Sequence, residues 1–336
     1  MLDHILRKQQ FLNHNQLKDA ITKKTIQDAS TRVYERLISK GQSYILMDTN
    51  LDRKMLESFI MVDKLLLDFN FSAPRIIVYD YELGFALLED FGDDSYKSFL
   101  EIETEKERLL YKYAIDLIVD LQNQKIPSNL LPSYSIDLLL KEVELFVSWY
   151  IPLLNGEELS PNIREEYIKI WIRLLTYIQP LDSTLVLRDY HADNLMWLPE
   201  RSGIKKVGLL DFQDAVVGSP IYDVVSLLED ARRDIKDLLV EDMISYYLEK
   251  NTKITRKEFL GHYAILGVQR NLKIIGIFAC KAVNDKNSSY LKLIPRVWRY
   301  INNSIKHPLL RPMHKWLEKI LPIQVFKSTS VSKILY

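Results

Sequence analysis

The strongest indication of the fold of this chain comes from two short acidic segments, residues 186–197 (VLRDYHADNLMW) and residues 207–215 (VGLLDFQDA). An apolar, strand-like run over residues 183–187 leads into the first segment, and the second segment contains another apolar run. In the first segment Asp189 and Asn194 stand five residues apart, and in the second Asp211 ends the apolar run. The pattern predicts two strands, whose adjoining loops present two carboxylates and one amide.

These three side chains suit the transfer of a phosphoryl group from a nucleotide. Such a reaction needs a carboxylate at the acceptor hydroxyl, and an amide and a second carboxylate on magnesium. We therefore predict that Asp189 is the catalytic base, that Asn194 and Asp211 bind Mg²⁺, and that ATP is the phosphoryl donor. A turn or N-cap aspartate is the alternative for Asp189 taken alone. Its combination with Asn194 and Asp211 favours catalysis.

The sequence before residue 91 indicates a small lobe of mixed structure. Residues 51–68 carry apolar side chains at helical spacing. Four short segments are apolar or alternating and are flanked by turn residues, as strands are: residues 32–37, 43–47, 75–78 and 84–88. The lobe is therefore predicted to hold a sheet and one long helix.

After residue 91 the pattern becomes helical, and the two acidic segments interrupt it. The predicted helices cover residues 103–123, 135–150, 161–178, 222–248, 256–283 and 290–305. We predict an α+β, two-lobed protein-kinase-like fold with a small antiparallel-sheet N-lobe and a larger helical C-lobe. The nucleotide-binding lobe is assigned to residues 1–91, and the helical lobe with the catalytic and metal-binding loops to residues 92–321. Residues 322–336 form a polar tail without periodicity, a composition compatible with disorder.

The triplet Asp90-Phe91-Gly92 has the letters of the magnesium triplet of protein kinases, but it precedes Asp189 by about 100 residues. Its place directly after a predicted strand fits the hinge between two lobes. We predict that backbone groups of Glu89, Asp90 and Phe91 hydrogen-bond adenine there, and that Asp211 begins the true counterpart of the triplet.

The segment expected to cover the phosphates, residues 27–37 (QDASTRVYERL), contains no glycine. A glycine-rich loop is therefore absent. We predict that the small residues Ala29 and Ser30 let backbone amides approach the phosphates of ATP. Met47 stands where kinases place their phosphate-binding lysine, so we predict that Arg32 supplies the charge, with Arg36 as the alternative cation. A solvated surface arginine is the alternative for Arg32.

Four other residues are candidates for supporting roles. Asp223 opens a predicted helix and is expected to orient the catalytic loop, a role compatible with an N-cap. Tyr190 and His191 lie in that loop, and Arg232 follows Asp230 on the predicted helix. We predict these three as substrate contacts, with bracing of the loop as the alternative for His191 and a helical ion pair for Arg232.

The composition excludes several classes of protein. Lys plus Arg and Asp plus Glu number 45 each in 336 residues, so no net charge attracts nucleic acid or an anionic membrane. The single cysteine, Cys280, excludes an internal disulfide and a cysteine-cluster metal site. No uncharged run reaches the ~18 residues of a membrane span, and the first residues show no secretory signal. We expect a cytoplasmic monomer that acts on a small molecule.

With these residues the chain resembles the aminoglycoside/choline kinase superfamily of phosphotransferases. The usual catalytic stretch there reads His-Gly-Asp with an Asn five residues after the Asp, and here Leu187 and Arg188 replace the His and the Gly. The chain is more closely similar to bacterial anomeric sugar kinases that phosphorylate N-acetylmuramate and N-acetylglucosamine at C1. The similarity spans roughly residues 10–320 and lies in residues 28–30, 45–48, 87–93, 187–195, 208–215, 226–233, 269–278 and 295–298.

The resemblance implies ATP, Mg²⁺ and a sugar 1-phosphate product that feeds the recycling of peptidoglycan. It implies the same roles for Asp189, Asn194 and Asp211. Two alternatives remain open. One is a kinase for another small hydroxyl compound, such as an aminoglycoside, choline or a hexose. The other is a nucleotide-binding pseudokinase or interaction module, which the missing lysine and missing glycine-rich loop motivate.

Overall fold

The structure is a computed structural model that describes residues 2–24, 32–178 and 183–321. The predicted phosphate-contacting residues Ala29 and Ser30 lie outside the described residues, as does the predicted tail over residues 322–336.

The described residues form helices and short strands. The helices are α1 (Leu2–His14), α2 (Arg53–Asp68), α3 (Tyr96–Ile102), α4 (Glu107–Gln122), α5 (Ile136–Leu145), α6 (Ile151–Asn155), α7 (Pro161–Ile178), α8 (Tyr222–Leu228), α9 (Asp237–Lys250), α10 (Arg256–Asn284), α11 (Ile294–Ser304) and α12 (Arg311–Ile320). The strands are β1 (Ile21–Lys24), β2 (Val33–Ser39), β3 (Gln42–Asp48), β4 (Ile76–Asp80), β5 (Phe85–Glu89), β6 (Thr184–Val186), β7 (Leu195–Trp197), β8 (Val207–Leu209) and β9 (Val216–Gly218).

Strands β1 to β5 form one antiparallel sheet in the order β1-β2-β3-β5-β4. The turn between β2 and β3 has positive φ at Lys40 and Gly41, which reverses the chain within two residues. In the register of β3 and β5, Tyr44 faces Glu89 and Asp48 faces Phe85. The antiparallel sheet and the mostly helical region after it confirm the predicted α+β, kinase-like fold. Strands β1, β7 and β9 and helices α1, α3, α6 and α12 were not predicted.

Helix α1 covers one face of this sheet. Phe11 packs against Phe85 with 5.5 Å between ring centroids, in a buried cluster that includes Leu37, Leu46 and Leu87. The sequence pattern of the first residues is too polar to reveal this helix, because only one narrow apolar stripe contacts the sheet.

By internal contacts the chain divides into two compact units. The first is Met1–Ala114 with Ala192–Ala215, and the second is Ile115–His191 with Val216–Tyr336. The β7–β8 hairpin thus belongs to the first unit, although it lies far along the chain. The predicted lobe boundaries at residues 91 and 321 stay a prediction.

The second unit is built around α10, a 29-residue helix that is buried along most of its length. A capping box of Thr255 and Glu258 begins the helix. Near its end a Cβ atom on Gly276 would lie 2.4 Å from the carbonyl carbon of Leu145, so only glycine lets α10 approach the end of α5 this closely. Among the described residues, no helix combines the length and apolarity that crossing a membrane requires.

Helix α2 carries an acid inside the first unit. Asp63 is fully buried, and neither of its carboxylate oxygens has a hydrogen-bond partner among the described residues. Burial raises the pKa of Asp63 to about 7, and the nearby charge of Glu89 acts in the same direction. The native state therefore holds this proton more tightly than the unfolded chain does.

We expect the stability of the protein to fall with rising pH on account of Asp63, because its folded-state pKa lies above its unfolded one. The stability due to the bound proton is complete below the unfolded pKa and is lost as the pH rises through about 7. Asp63→Asn removes this pH-dependent loss of stability, because the asparagine does not titrate. Its melting temperature relative to the wild type should increase between about pH 4 and pH 7 and level off at higher pH. Asp68→Asn, at the exposed end of the same helix, is the control. A pH-independent difference would contradict the prediction.

Candidate active site

In the first unit the β7–β8 hairpin brings Asn194 and Asp211 close together. The strands pair antiparallel, with Leu195 facing Leu209. Just beyond this pair the Leu210 N–H donates to the Asn194 carbonyl oxygen at 3.0 Å. Asn194 therefore enters the hairpin at the same end at which Asp211 leaves it. The two predicted metal ligands lie on adjacent chain segments.

Asp211 lies in a left-handed backbone conformation, with φ of +58°. Its carboxylate accepts a hydrogen bond from the Arg32 guanidinium, whose other terminal nitrogen donates to Gln213 Oε1 at 2.5 Å. Arg32 is only 5% exposed, which excludes a solvated surface arginine. Burial opposes its charge, but Tyr34 and Asp211 outweigh burial and raise the pKa of Arg32. A cation is thus fixed at the predicted magnesium ligand.

Asn194 and Asp211 fit a magnesium site in their chemistry. Mg²⁺ is usually held by one or two protein oxygens, and phosphate and water oxygens complete its shell. An amide and a carboxylate at one end of a hairpin supply such a partial set, and the Asp211 side chain is 36% exposed. No group of three or more His, Cys, Asp or Glu side chains that could hold a metal ion occurs among the described residues. The pair alone provides no complete metal cage.

The predicted hinge residues Glu89, Asp90 and Phe91 make hydrogen bonds and packing contacts within the first unit. The Glu89 N–H donates to the Arg75 carbonyl oxygen at 2.9 Å, so this backbone donor is engaged in the sheet edge. The Asp90 carboxylate accepts from Ser43 Oγ at 2.5 Å and from Arg36 at 3.0 Å. Phe91 packs on the hairpin, where a Cβ atom on Gly208 would lie 2.9 Å from its ring. The adenine contact stays a prediction for backbone groups of Glu89, Asp90 and Phe91.

In the second unit Asp223 holds the loop that carries Asp189. Its carboxylate accepts the N–H groups of Leu187 at 2.7 Å and of Arg188 at 2.9 Å. Asp223 lies in the first turn of α8, whose N-cap residue is Ile221, so its carboxylate binds the loop and does not cap the helix. This geometry is the one that a loop-orienting residue needs. Burial raises the pKa of Asp223 to about 7, against the effect of the two N–H donors.

The charge of Asp189 is set by its neighbours. Burial disfavours ionisation, but the neighbouring groups Lys273, His191, Arg270 and Arg188 outweigh burial and lower the pKa of this carboxyl. Asp189 is therefore ionised at neutral pH and can accept a hydrogen bond from an acceptor hydroxyl.

The three predicted substrate contacts differ in their surroundings. Tyr190 and His191 are buried, which suits bracing of the loop. Arg232 is half-buried, and its N–H donates to Asp230 Oδ1 at 2.7 Å. The predicted helix over residues 222–248 was wrong at this point: α8 ends at Leu228 and α9 begins at Asp237, so Arg232 lies in the connection. The polar run EDARRD favours a loop over a helix interior.

Three charged residues near the Asp189 loop were not predicted from the sequence: Glu142, Arg270 and Lys273. Glu142 and Lys273 are buried and form an ion pair of 3.0 Å. The signal was present, because both occur in apolar helical runs, LLLKEVELFV over residues 138–147 and LKIIGIF over residues 272–278. A charged side chain on an apolar helix face is rarely buried without a partner.

Comparisons with known proteins identify the family. A family model described as "Phosphotransferase enzyme family" matches residues 24–259. An N-acetylmuramate/N-acetylglucosamine kinase of Caulobacter vibrioides is 32% identical, over 94% of this chain and 96% of that protein. A protein of the same name from Pseudomonas putida is 34% identical, over 83% of this chain and 81% of that protein. The chain belongs to the phosphotransferase enzyme family.

Solved structures show the same fold. Choline kinase LicA from Streptococcus pneumoniae superposes with a TM-score of 0.62 at 12% identity, over 88% of this chain and 98% of that chain. The ADP-bound aminoglycoside phosphotransferase APH(2'')-Ib superposes with a TM-score of 0.59 at 14% identity, over 90% of this chain and 98% of that chain. The protein is an enzyme of the kinase class, and as a kinase it uses ATP.

We expect Asp223→Asn to slow phosphoryl transfer without weakening ATP binding. The asparagine has one acceptor oxygen, and its amide group would face the second backbone N–H, so the loop before Asp189 loses one of its two hydrogen bonds. Loss of such a supporting contact typically costs about 10–100-fold. Steady-state kcat and calorimetric ATP binding measure the two effects. Asp237→Asn, in the exposed first turn of α9, is the control. Wild-type kcat in Asp223→Asn would refute the orienting role.

Proposed function

We propose that this protein is an ATP- and Mg²⁺-dependent kinase that phosphorylates the C1 hydroxyl of N-acetylmuramate, N-acetylglucosamine or both. The observation that carries the proposal is an ionised Asp189 in a loop fixed by Asp223, in a chain that aligns almost end to end with the Caulobacter kinase of that name. We further propose that the reaction takes place in the cytoplasm, in the recycling of peptidoglycan sugars, and that the enzyme acts as a monomer.

Asp189 acts on the acceptor hydroxyl. Its carboxylate accepts the hydroxyl hydrogen, which turns an oxygen lone pair towards the γ-phosphorus of ATP. It takes the proton as the new P–O bond forms, while the bond from the γ-phosphorus to the β–γ bridging oxygen breaks and ADP leaves. Its lowered pKa means a reduced proton affinity. The ring oxygen makes an anomeric hydroxyl more acidic than the other hydroxyls of a sugar. A weakly basic carboxylate therefore suits C1 better than an ordinary alcohol.

Asn194 and Asp211 would hold Mg²⁺, which when bound neutralises the charge of the ATP phosphates. Arg32 takes the place of the missing phosphate-binding lysine, since the fully buried Met47 stands on the strand where that lysine is expected. Arg32 pairs with Asp211. If the Asp211 carboxylate held Mg²⁺, the donors of the Arg32 guanidinium would be available for phosphate oxygens.

The first experiment tests ADP release from Mg·ATP over N-acetylmuramate, N-acetylglucosamine, glucose, choline and kanamycin, with phosphorus NMR of each product. We expect a sugar 1-phosphate from the N-acetyl sugars and no product from the others. Asp189→Asn should bind ATP normally and lose at least about a hundredfold in kcat.

Other outcomes of the panel would change the proposal in defined ways. Turnover with choline, kanamycin or glucose alone would support the proposed kinase activity and contradict the proposed amino-sugar substrate. ATP binding without turnover on any acceptor would indicate a nucleotide-binding pseudokinase. Wild-type turnover by Asp189→Asn would remove the proposed base.

The role of Asp211 gives a separate prediction. Asp211→Asn replaces a charged ligand by a neutral one, so the Mg²⁺ concentration for half-maximal ATP binding should rise at least about tenfold. Asp214→Asn is the matched control, because it removes a charge three residues further along at an exposed site. A titration of ATP binding against Mg²⁺ measures both variants. Equal curves for Asp211→Asn and the wild type would contradict the assignment.

A further inference from the structure

The residue before Asp189 has an unfavourable backbone conformation. Arg188 has φ of +69°, in the left-handed region that a residue with a Cβ atom rarely adopts. Glycine adopts such an angle without strain. An arginine here needs contacts that hold it.

Both backbone polar groups of Arg188 are held by the start of α8. The Arg188 N–H donates to Asp223 Oδ1 at 2.9 Å, and the Arg188 carbonyl oxygen accepts from Ser226 Oγ at 3.0 Å. These bonds would serve a glycine equally well. They do not explain why the side chain is an arginine.

The side chain is held by a second set of contacts. The Arg188 guanidinium donates to Glu142 Oε1 and lies over the ring of Tyr134, with Cζ 5.3 Å from the ring centroid. Glu142 is 6% exposed and also accepts from Lys273 Nζ at 3.0 Å and from the Tyr134 hydroxyl at 2.6 Å. Gln269 Nε2 adds a fourth donor at 3.1 Å. Helices α5 and α10 thus anchor the residue next to Asp189.

The charges in this cluster support one another. Burial disfavours the Glu142 carboxylate, but Lys273 and Arg188 outweigh burial and lower the pKa of Glu142. Burial also opposes the charges of Lys273 and Arg188, and the surrounding groups still raise the pKa of each. The cluster therefore holds two cations and one anion, and its excess positive charge lies near Asp189.

We propose that Arg188, Glu142 and Lys273 form a positioning cluster that fixes the left-handed turn before Asp189 and orients the Asp189 carboxylate. The proposal rests on the proposed role of Asp189 as the group that receives the acceptor proton. None of the three residues is assigned to the reacting atoms. They hold the Asp189 carboxylate in one orientation and place positive charge near it. The Arg188 side chain connects the turn to this cluster, which a glycine at the same position could not do.

Replacement by glycine separates positioning from folding. Arg188→Gly relieves the strain of a positive φ and leaves Glu142 paired with Lys273, so its melting temperature should stay close to that of the wild type. Its kcat should fall about 10–100-fold, while KM for ATP changes little. Arg188→Ala keeps the strained angle without the anchor, so it should melt lower than Arg188→Gly. Wild-type kcat in Arg188→Gly would overturn the cluster.

The pH profile distinguishes positioning from a purely structural role. The titratable and charged groups that act on Asp189 are Lys273, His191, Arg270 and Arg188, which favour its ionisation, and Asp223 is the opposing carboxylate. Loss of one cation from this set raises the pKa of Asp189, so the acid limb of kcat should move to higher pH in Arg188→Gly and in Lys273→Met. Lys250→Met, which breaks an exposed ion pair with Asp116 in the same unit, should leave the limb unchanged. An unmoved limb in both cluster variants would contradict the proposal.

A third measurement does not depend on the acceptor. Hydrogen–deuterium exchange of the peptide that covers residues 186–197 should be faster in Arg188→Gly and in Glu142→Gln than in Lys250→Met or the wild type. Unchanged exchange would refute the cluster even if the kinase had no turnover with any sugar. Conversely, faster exchange in a protein without turnover would support the cluster and refute only the proposed function.

Discussion

The site depends on one contact, the acceptance of two successive backbone N–H groups by the buried carboxylate of Asp223. The contact joins the start of α8 to the end of β6, and it fixes the chain where it turns through a left-handed residue towards Asp189. A carboxylate at this depth costs desolvation energy, as its pKa of about 7 shows. The two N–H donors offset part of that cost.

Two acidic residues, one in each unit, are controlled by cations in different ways. Asp189 lies in the field of several buried cations, whose combined effect lowers its pKa. Asp211 instead pairs directly with Arg32, which is itself buried. The first arrangement keeps a carboxylate ionised and able to accept a proton. The second fixes an arginine next to a half-exposed carboxylate, where the binding of an anion such as a phosphate group is favoured.

Much of the fold could be predicted because its elements have strong local signals. The alternating strands β2 to β5 and the amphipathic α2 and α10 were found within a few residues. Helix α1 was missed because its apolar stripe is narrow, and the break between α8 and α9 was missed because apolar spacing on both sides suggested one helix. Of the site, the types and spacing of Asp189, Asn194 and Asp211 were readable. The contacts of Arg188 and Glu142 were not, because they join residues 46 positions apart.

The class of chemistry could be inferred from the sequence alone, because an Asp, an Asn and a second Asp at this spacing occur in order along the chain and need no knowledge of distant contacts. The sequence also shows that residues 27–37 contain no glycine, and it predicts that Met47 stands where a phosphate-binding lysine is expected. The ionised state of Asp189 and the partner of Arg32 could be recognised only from the three-dimensional structure. Both depend on burial and on charges brought together from remote helices and strands, and neither quantity is encoded in local spacing.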